Sequence, residues 1–276
     1  MAELDAWNDL PLGKPVSYVD EYTPSLLSGI ERARARAKLP FQGAAPFRGL
    51  DRWTAYELTW LNPRGRPECG VLTLEIPSSS PSFVESRSMK LYLNSFSQTE
   101  FENVRSVERT LSADIGAVCE SEIEVNVLAP QTYAARPVTH VPGRCLETYD
   151  IDARHYHVEP ELLDIESDTT VREVLFSDLL HMRCPVTGQP DVATVVIEYM
   201  GPAISHVGLL RYLISYRQEA YFHEQAVERI FLDVMARCAP VALSVHGRFC
   251  RRGGIDINPL RSNGPDSYAD LRGARQ

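Results

Sequence analysis

Two short patterns recur along the chain at one spacing. Tyr92-Leu-Asn-Ser-Phe96 returns as Tyr212-Leu-Ile-Ser-Tyr216, and Val107-Glu-Arg109 as Val227-Glu-Arg229; 212 − 92 and 227 − 107 both give 120. Upstream, Pro67 and Glu75 match Pro190 and Glu198 at a slightly larger offset, which a three-residue difference in loop length explains. Agreement in order and spacing points to a duplicated unit. A duplicated chain can fold only in ways that build one unit twice.

Each half reads in the same order. A strand (53–61; 171–182) leads through a Pro/Gly turn to a second strand (71–76; 193–199). Two helical stretches follow, 90–96 with 100–117 and 206–216 with 223–237, and a final strand closes each half (122–128; 241–249). Strands joined by a short turn are antiparallel, and helices segregated from strands define an α+β class rather than a doubly wound one. The expected division is an irregular N-terminal arm over 1–45 packed on the first half, a first half over 46–165 and a second over 166–276. The polar stretch 259–276 is expected to be loose.

At 276 residues, 44% hydrophobic and 24% charged, the chain suits a soluble globular protein. A net charge of −9 argues against a protein that wraps nucleic acid, because phosphate binding needs clustered Lys and Arg. Neither a signal peptide nor a membrane-spanning apolar run is evident. The six cysteines, Cys69, Cys119, Cys145, Cys184, Cys238 and Cys250, are scattered without CxxC pairs, as in a reduced cytoplasmic protein.

The halves differ in chemistry. Cys184-Pro-Val-Thr-Gly-Gln-Pro-Asp191 puts a thiol at the start of a turn and a carboxylate seven residues on, where the first half has only Asn62-Pro63. A thiol beside a carboxyl group suits covalent attack on an electrophilic carbon. The plainer reading of Cys184 is a small buried residue, and of Asp191 a turn cap. A carboxylate alone raises a thiol's pKa, so the chemistry also needs positive charge, donors or a concerted proton transfer; His181 and Arg183 are the sequence neighbours. Glu85-Ser-Arg-Ser-Met-Lys90 opens the first helix of its half. Its two cations, hydroxyls and free N–H groups make an anion site, unless they are an ordinary cap. Phe222-His223-Glu224 starts the last long helix and could hold a heterocycle, the carboxylate on an amidine-like edge and the ring on Phe222; the alternative is a helix-end charge and a surface histidine. Arg251-Arg252-Gly-Gly254 could reach a phosphate or the chain's own carboxylates. His155 and His157, with His140 and Cys145, lack a compact companion cluster for zinc, and no GxGxxG or P-loop motif occurs.

Taken together, these motifs resemble the long-form NADPH-dependent 7-cyano-7-deazaguanine reductases, the nitrile reductases of queuosine biosynthesis. The family pattern Glu-[Ser/Leu]-Lys-[Ser/Ala]-hydrophobic-Lys-[Leu/Tyr]-aromatic stands here as Glu85-Ser-Arg-Ser-Met-Lys-Leu-Tyr92, with Arg87 in place of the usual lysine. The Cys184–Asp191 turn, Phe222-His-Glu224 and Arg251 to Pro259 match three further motifs. The resemblance implies a tandem tunnelling fold, related to that of GTP cyclohydrolase I, with a barrel completed in a homodimer and sites at interfaces. One site assembled from both halves is the corresponding expectation. The resemblance also implies a four-electron reduction of the nitrile to an amine, using two NADPH and no metal. Cys184 would form a thioimide, with Asp191 as acid and His223 assisting; Glu85, Phe222, His223 and Glu224 would hold the base. Arg87, Ser88 and Lys90 would face the cofactor, with Arg251 and Arg252 at its phosphates. A zinc-dependent cyclohydrolase and a non-catalytic purine- or pterin-binding module on the same fold are the rival readings.

Overall fold

In Trp53-Thr-Ala-Tyr-Glu-Leu-Thr-Trp60 the apolar residues Trp53 and Ala55 fall on odd positions, but Leu58 and Trp60 fall on even ones. A regular strand would send these pairs to opposite faces. The computed structural model, which describes residues 18–264 and 272–276, resolves the conflict with a register shift between Ala55 and Leu58, so that all four are buried. The same device recurs in the second half, between Ser177 and Leu180, where Leu175 and Ser177 are followed inward by Leu180 and Met182.

The chain divides into two units. The first comprises residues to Ala37, Leu50–Pro137 and Arg251–Ile257; the second comprises Lys38–Gly49, Val138–Cys250 and residues from Asn258 on. In the first unit, β1 (Gly29–Glu31) is followed by a short helix α1 (Arg32–Arg36). The long strands β2 (Arg48–Leu61) and β3 (Pro67–Pro77) pair antiparallel. β4 (Ser82–Val84) pairs antiparallel with β1, and helices α2 (Ser86–Asn94) and α3 (Val104–Cys119) lead to β5 (Glu124–Leu128), which pairs with β3. A short α4 (Pro130–Ala134) begins with proline at its first turn, where the missing N–H costs nothing. α3 is amphipathic: Val107, Leu111, Ile115 and Cys119 recur every fourth residue and are buried against Trp53, Leu72 and Leu74. Asn103 and Ser106 close a capping box at its start.

In the second unit, β6 (Arg144–Cys145) runs parallel to β7 (Ile165–Arg183), which pairs antiparallel with β8 (Pro190–Ile204). Helices α5 (His206–Ile214) and α6 (His223–Cys238) precede β9 (Ala242–Phe249), which pairs with β8. The last strand, β10 (Ile255–Ser262), pairs through Leu260–Ser262 with β9. Leu180, Met182, Ala193, Val195, Val227, Phe231, Val245 and Phe249 belong to one buried core between these strands and helices.

The observed mixture of antiparallel strands and segregated helices is α+β, as expected. Two expectations need correction. The arm is not uniformly irregular, since it contains β1 and α1. Residues 18–37 join the first unit through a buried Arg32–Asp51 ion pair of 2.6 Å, whereas 38–45 fall in the second; residues 1–17 lie outside the described residues. Nor is 259–276 loose throughout. Residues 259–262 complete β10 and are buried, and Gln276 accepts from Arg248 Nε (2.7 Å) and donates to Asn258 Oδ1 (2.6 Å). The rest of that stretch, 265–271, lies outside the described residues.

Candidate active site

The nucleophile candidate sits where β7 turns into β8. Cys184 N donates to the Gln189 carbonyl (2.8 Å) and Gly188 N to the Cys184 carbonyl (3.0 Å), closing a tight loop. Gly188 takes the left-handed conformation that loop requires (φ 69°). Asp191 pairs directly with Met182, and opposed residues on antiparallel strands share a face. Met182 is a core residue, so Asp191 is carried to the helix side and is 5% exposed; Cys184 is 6% exposed. His181 and Arg183 alternate to the other face of β7, so they are not the partners that their closeness in sequence suggests.

The strand also recruits the start of α6. Arg183 N donates to the Glu219 carbonyl (2.8 Å) and Tyr221 N to the Arg183 carbonyl (3.2 Å), lacing 219–221 to the residue before the cysteine. Phe222 is then the N-cap of α6, and His223 and Glu224 form its first turn. His223 Nε2 lies 3.4 Å from Asp191 Oδ1, and its ring stacks on Phe249 (centroids 3.9 Å, interplanar angle 8°). His223 Nδ1 is buried without a hydrogen-bond partner among the described residues. Such an orphan costs roughly 1–3 kcal/mol until a ligand meets it. Glu224 is buried at a helix N-terminus, where negative charge is favoured. Cys184, Asp191, Phe222, His223 and Glu224 are thus gathered in the second unit by backbone pairing that the motifs alone do not reveal. Phe249 was missed; the hint was Gly247, where a β-carbon would stand 2.7 Å from Val227 Cγ2 and 2.9 Å from the Phe249 ring.

The first unit holds the charged motif, and here the structure corrects the reading. The N–H groups at the start of α2 are not free: Arg87 N and Ser88 N both donate to the Glu85 carboxylate (2.8 Å each). Burial nevertheless pushes the Glu85 carboxyl above its usual range, against those hydrogen bonds. Ser88 is fully buried, its hydroxyl donating to the Glu85 carbonyl and accepting from Ser28 N, so it presents no surface to a dinucleotide. Arg87 and Lys90 are half-buried. Lys90 meets the other basic motif: a β-carbon on Gly253 would lie 2.6 Å from its Nζ. Arg252 and Ile255 close a two-residue turn over Gly253 and Gly254 (φ 55° and 76°), the type I′ geometry that glycine pairs adopt. Lys90, Arg251 and Arg252 gather at this glycine pair, with the Glu57 carboxylate packed against Gly254. That donor set fits the phosphates of a dinucleotide.

Elsewhere, His155 and His157 pair with Glu159 (3.0 Å) and Glu219 (3.1 Å), and Cys145 Sγ donates to Glu147 (2.9 Å). Among the described residues no group of three or more His, Cys, Asp or Glu side chains is arranged to hold a metal ion. A cavity of about 500 Å³ in the second unit, lined by Phe176, His246 and Arg248 among others, contains none of the Cys184 group. No helix among the described residues is long and apolar enough to cross a membrane.

A buried thiol and carboxylate with a half-buried imidazole in one α+β unit are residue types suited to work on an electrophilic carbon. Comparison with known proteins narrows that chemistry. Residues 18–127 match the model described as nitrile reductase, 7-cyano-7-deazaguanine-reductase N-term, and residues 190–267 match the QueF-like protein model. The NADPH-dependent 7-cyano-7-deazaguanine reductase of Burkholderia multivorans is 48% identical over 268 residues, covering 96% of this chain and 98% of that protein. The enzyme of the same name from Burkholderia cenocepacia is 47% identical over 270 residues, with the same coverage. A solved apo archaeosine synthase QueF-like chain aligns at 20% identity over 37% of this chain and 100% of its own, with a TM-score of 0.32. The chain belongs to the NADPH-dependent 7-cyano-7-deazaguanine reductase family.

Proposed function

We propose that this chain reduces the nitrile 7-cyano-7-deazaguanine to 7-aminomethyl-7-deazaguanine, consuming two NADPH and two protons, within queuosine synthesis. Family membership carries the substrate and the cofactor. The observation that carries the chemistry is the placing of Asp191 on the face of the hairpin that meets His223, beside the Cys184 turn.

Cys184 Sγ adds to the nitrile carbon as its thiol proton passes to Asp191, and Asp191 gives a proton to the nitrogen, so that a thioimide forms. A bare nitrile accepts hydride poorly, and a protonated thioimide accepts it better. NADPH supplies the hydrides when bound. Once the carbon is tetrahedral, the carbon–sulfur bond breaks to leave an imine, which takes the second hydride and a proton to become the amine. Cys184, released as thiolate, is reprotonated through the Asp191–His223 pair. Glu224 takes the amidine-like edge of the base, with the ring against Phe222; the family pattern assigns Glu85 to the base as well. Lys90, Arg251 and Arg252, with Arg87, hold the cofactor. In the same reading the two halves are tandem tunnelling folds (46–165 and 166–276), two chains complete the barrel as a homodimer, and the enzyme is cytoplasmic, with no nucleic acid or membrane partner. The repeated register shifts in β2 and β7 support the duplication.

The test is stoichiometry. Incubation with the nitrile and NADPH should oxidise two NADPH for each amine formed; one per product, or none, overturns the assignment.

A further inference from the structure

The register shift in β2 has a second effect, because it turns Tyr56 and Glu57 towards the glycine turn. Tyr56 N donates to the Gly254 carbonyl (2.9 Å), and a β-carbon on Gly254 would lie 2.5 Å from the Glu57 carboxyl carbon. The Tyr56 hydroxyl donates to Asp256 Oδ2 at 2.6 Å, a carboxylate only 2% exposed, and lies 3.3 Å from the Tyr133 hydroxyl. The Tyr133 ring stands edge-on to that of Tyr56 (5.6 Å, 85°). The ring of Tyr56 is thus fixed by a buried acid on one side and an aromatic edge on the other. Over its face lies the Arg251 guanidinium, 4.8 Å from the centroid, within the range of a cation–π contact.

We propose that Tyr56 is a positioning residue for the cofactor. It holds Arg251 in place at the turn that also meets Lys90, and so sets the affinity for the dinucleotide's phosphates without touching the reacting atoms. The inference rests on the assignment of Arg251 to NADPH made above. An exposed arginine has many rotamers, and the bound phosphate selects one. An aromatic platform reduces the number to be lost, and a cation–π contact at an accessible site corresponds to roughly a twofold to fivefold change in affinity. Removal of the platform should therefore act on cofactor binding and leave the nitrile's site alone.

The experiment measures the NADPH dissociation constant of the resting protein by fluorescence titration, beside steady-state kinetics, for Tyr56→Leu, Arg251→Ala and the double variant. Tyr56→Leu should weaken NADPH binding about twofold to fivefold and raise its KM in step, with kcat and the KM for the nitrile held. The effect should vanish in the Arg251→Ala background, since nothing is left to position. Tyr56→Phe keeps the ring over Arg251 and loses the bond to Asp256, so it should weaken NADPH binding less than Tyr56→Leu does. A urea midpoint for each variant separates loss of fold from loss of the platform. Wild-type affinity in Arg251→Ala would remove Arg251 from the cofactor and with it the reading beneath the proposal. Weakened binding in Arg251→Ala with none in Tyr56→Leu overturns the positioning role alone. So does a Tyr56→Leu effect of equal size in both backgrounds, or a Tyr56→Phe effect as large as that of Arg251→Ala.

Discussion

Asp191 faces α6 because it stands opposite Met182, and Met182 faces the core; the motif that contains it gives no hint of either fact. Its proposed acid role predicts that Asp191→Asn, which keeps the shape and removes the proton, lowers kcat by about 10²–10⁴ while the KM for the nitrile moves only a few-fold. Steady-state kinetics check this, and an unchanged kcat removes Asp191 from the mechanism. His223 is held by the Phe249 ring, and Phe249 needs the space left by Gly247. Gly247→Ala places a methyl group within 3 Å of both Val227 and Phe249 and should destabilise the fold by about 1–3 kcal/mol, measured by urea unfolding. Cys184, Asp191, Phe222, His223 and Glu224 stand out in the sequence as candidates because their types carry chemistry. Phe249 could not, since an aromatic residue at the end of an apolar strand looks like any other core residue. Ser88 is the opposite case: a hydroxyl at a helix start suggests a ligand, and in the structure it bonds to Ser28 N and to the carbonyl of Glu85.

The helices of the two halves end alike, α3 in Cys119-Glu120 and α6 in Cys238-Ala239. Both residues after the cysteine sit in the left-handed region (φ 53° and 46°). An L-residue there is strained, so Ala239→Gly should stabilise the protein by about 0.5–1 kcal/mol, seen as a higher denaturation midpoint at unchanged slope. Burial pushes the Cys238 thiol up to about 11 and the Cys119 thiol up to about 12. A folded value above the free thiol's (about 8.5) adds stability that is whole below that pH. It is lost as pH rises through about 11 for Cys238 and about 12 for Cys119. Cys238→Ala should therefore flatten the alkaline limb of the stability–pH profile, and an identical limb in parent and variant contradicts that origin. The strong strands and helices were legible from their periodicity. β10 was not, because Asp256, Asn258 and Arg261 made its sequence look solvated. Each is buried and bonded, to Tyr56, to Phe249 N and Gln276, and to Glu228 respectively. Pairing with distant partners overrides the local polarity.

For the molecule as a whole, the repeated spacing that suggests a duplicated unit is legible because spacing survives when side chains diverge. The parity switches in β2 and β7 support that proposal from the backbone. The thiol, acid and imidazole lie in one unit and the cationic turn in the other. The proposed homodimer predicts a sedimenting mass twice the 31.0 kDa of one chain; a monomer at working concentration would remove the barrel from the account. The most direct test concerns the bond at the centre of the mechanism. The intact chain, incubated with 7-cyano-7-deazaguanine in the absence of NADPH, is weighed by mass spectrometry under conditions that preserve the thioimide. The account predicts a gain of one substrate mass, mapping to Cys184 and absent in Cys184→Ala. An unmodified chain at saturating nitrile, together with turnover by Cys184→Ala, would contradict it.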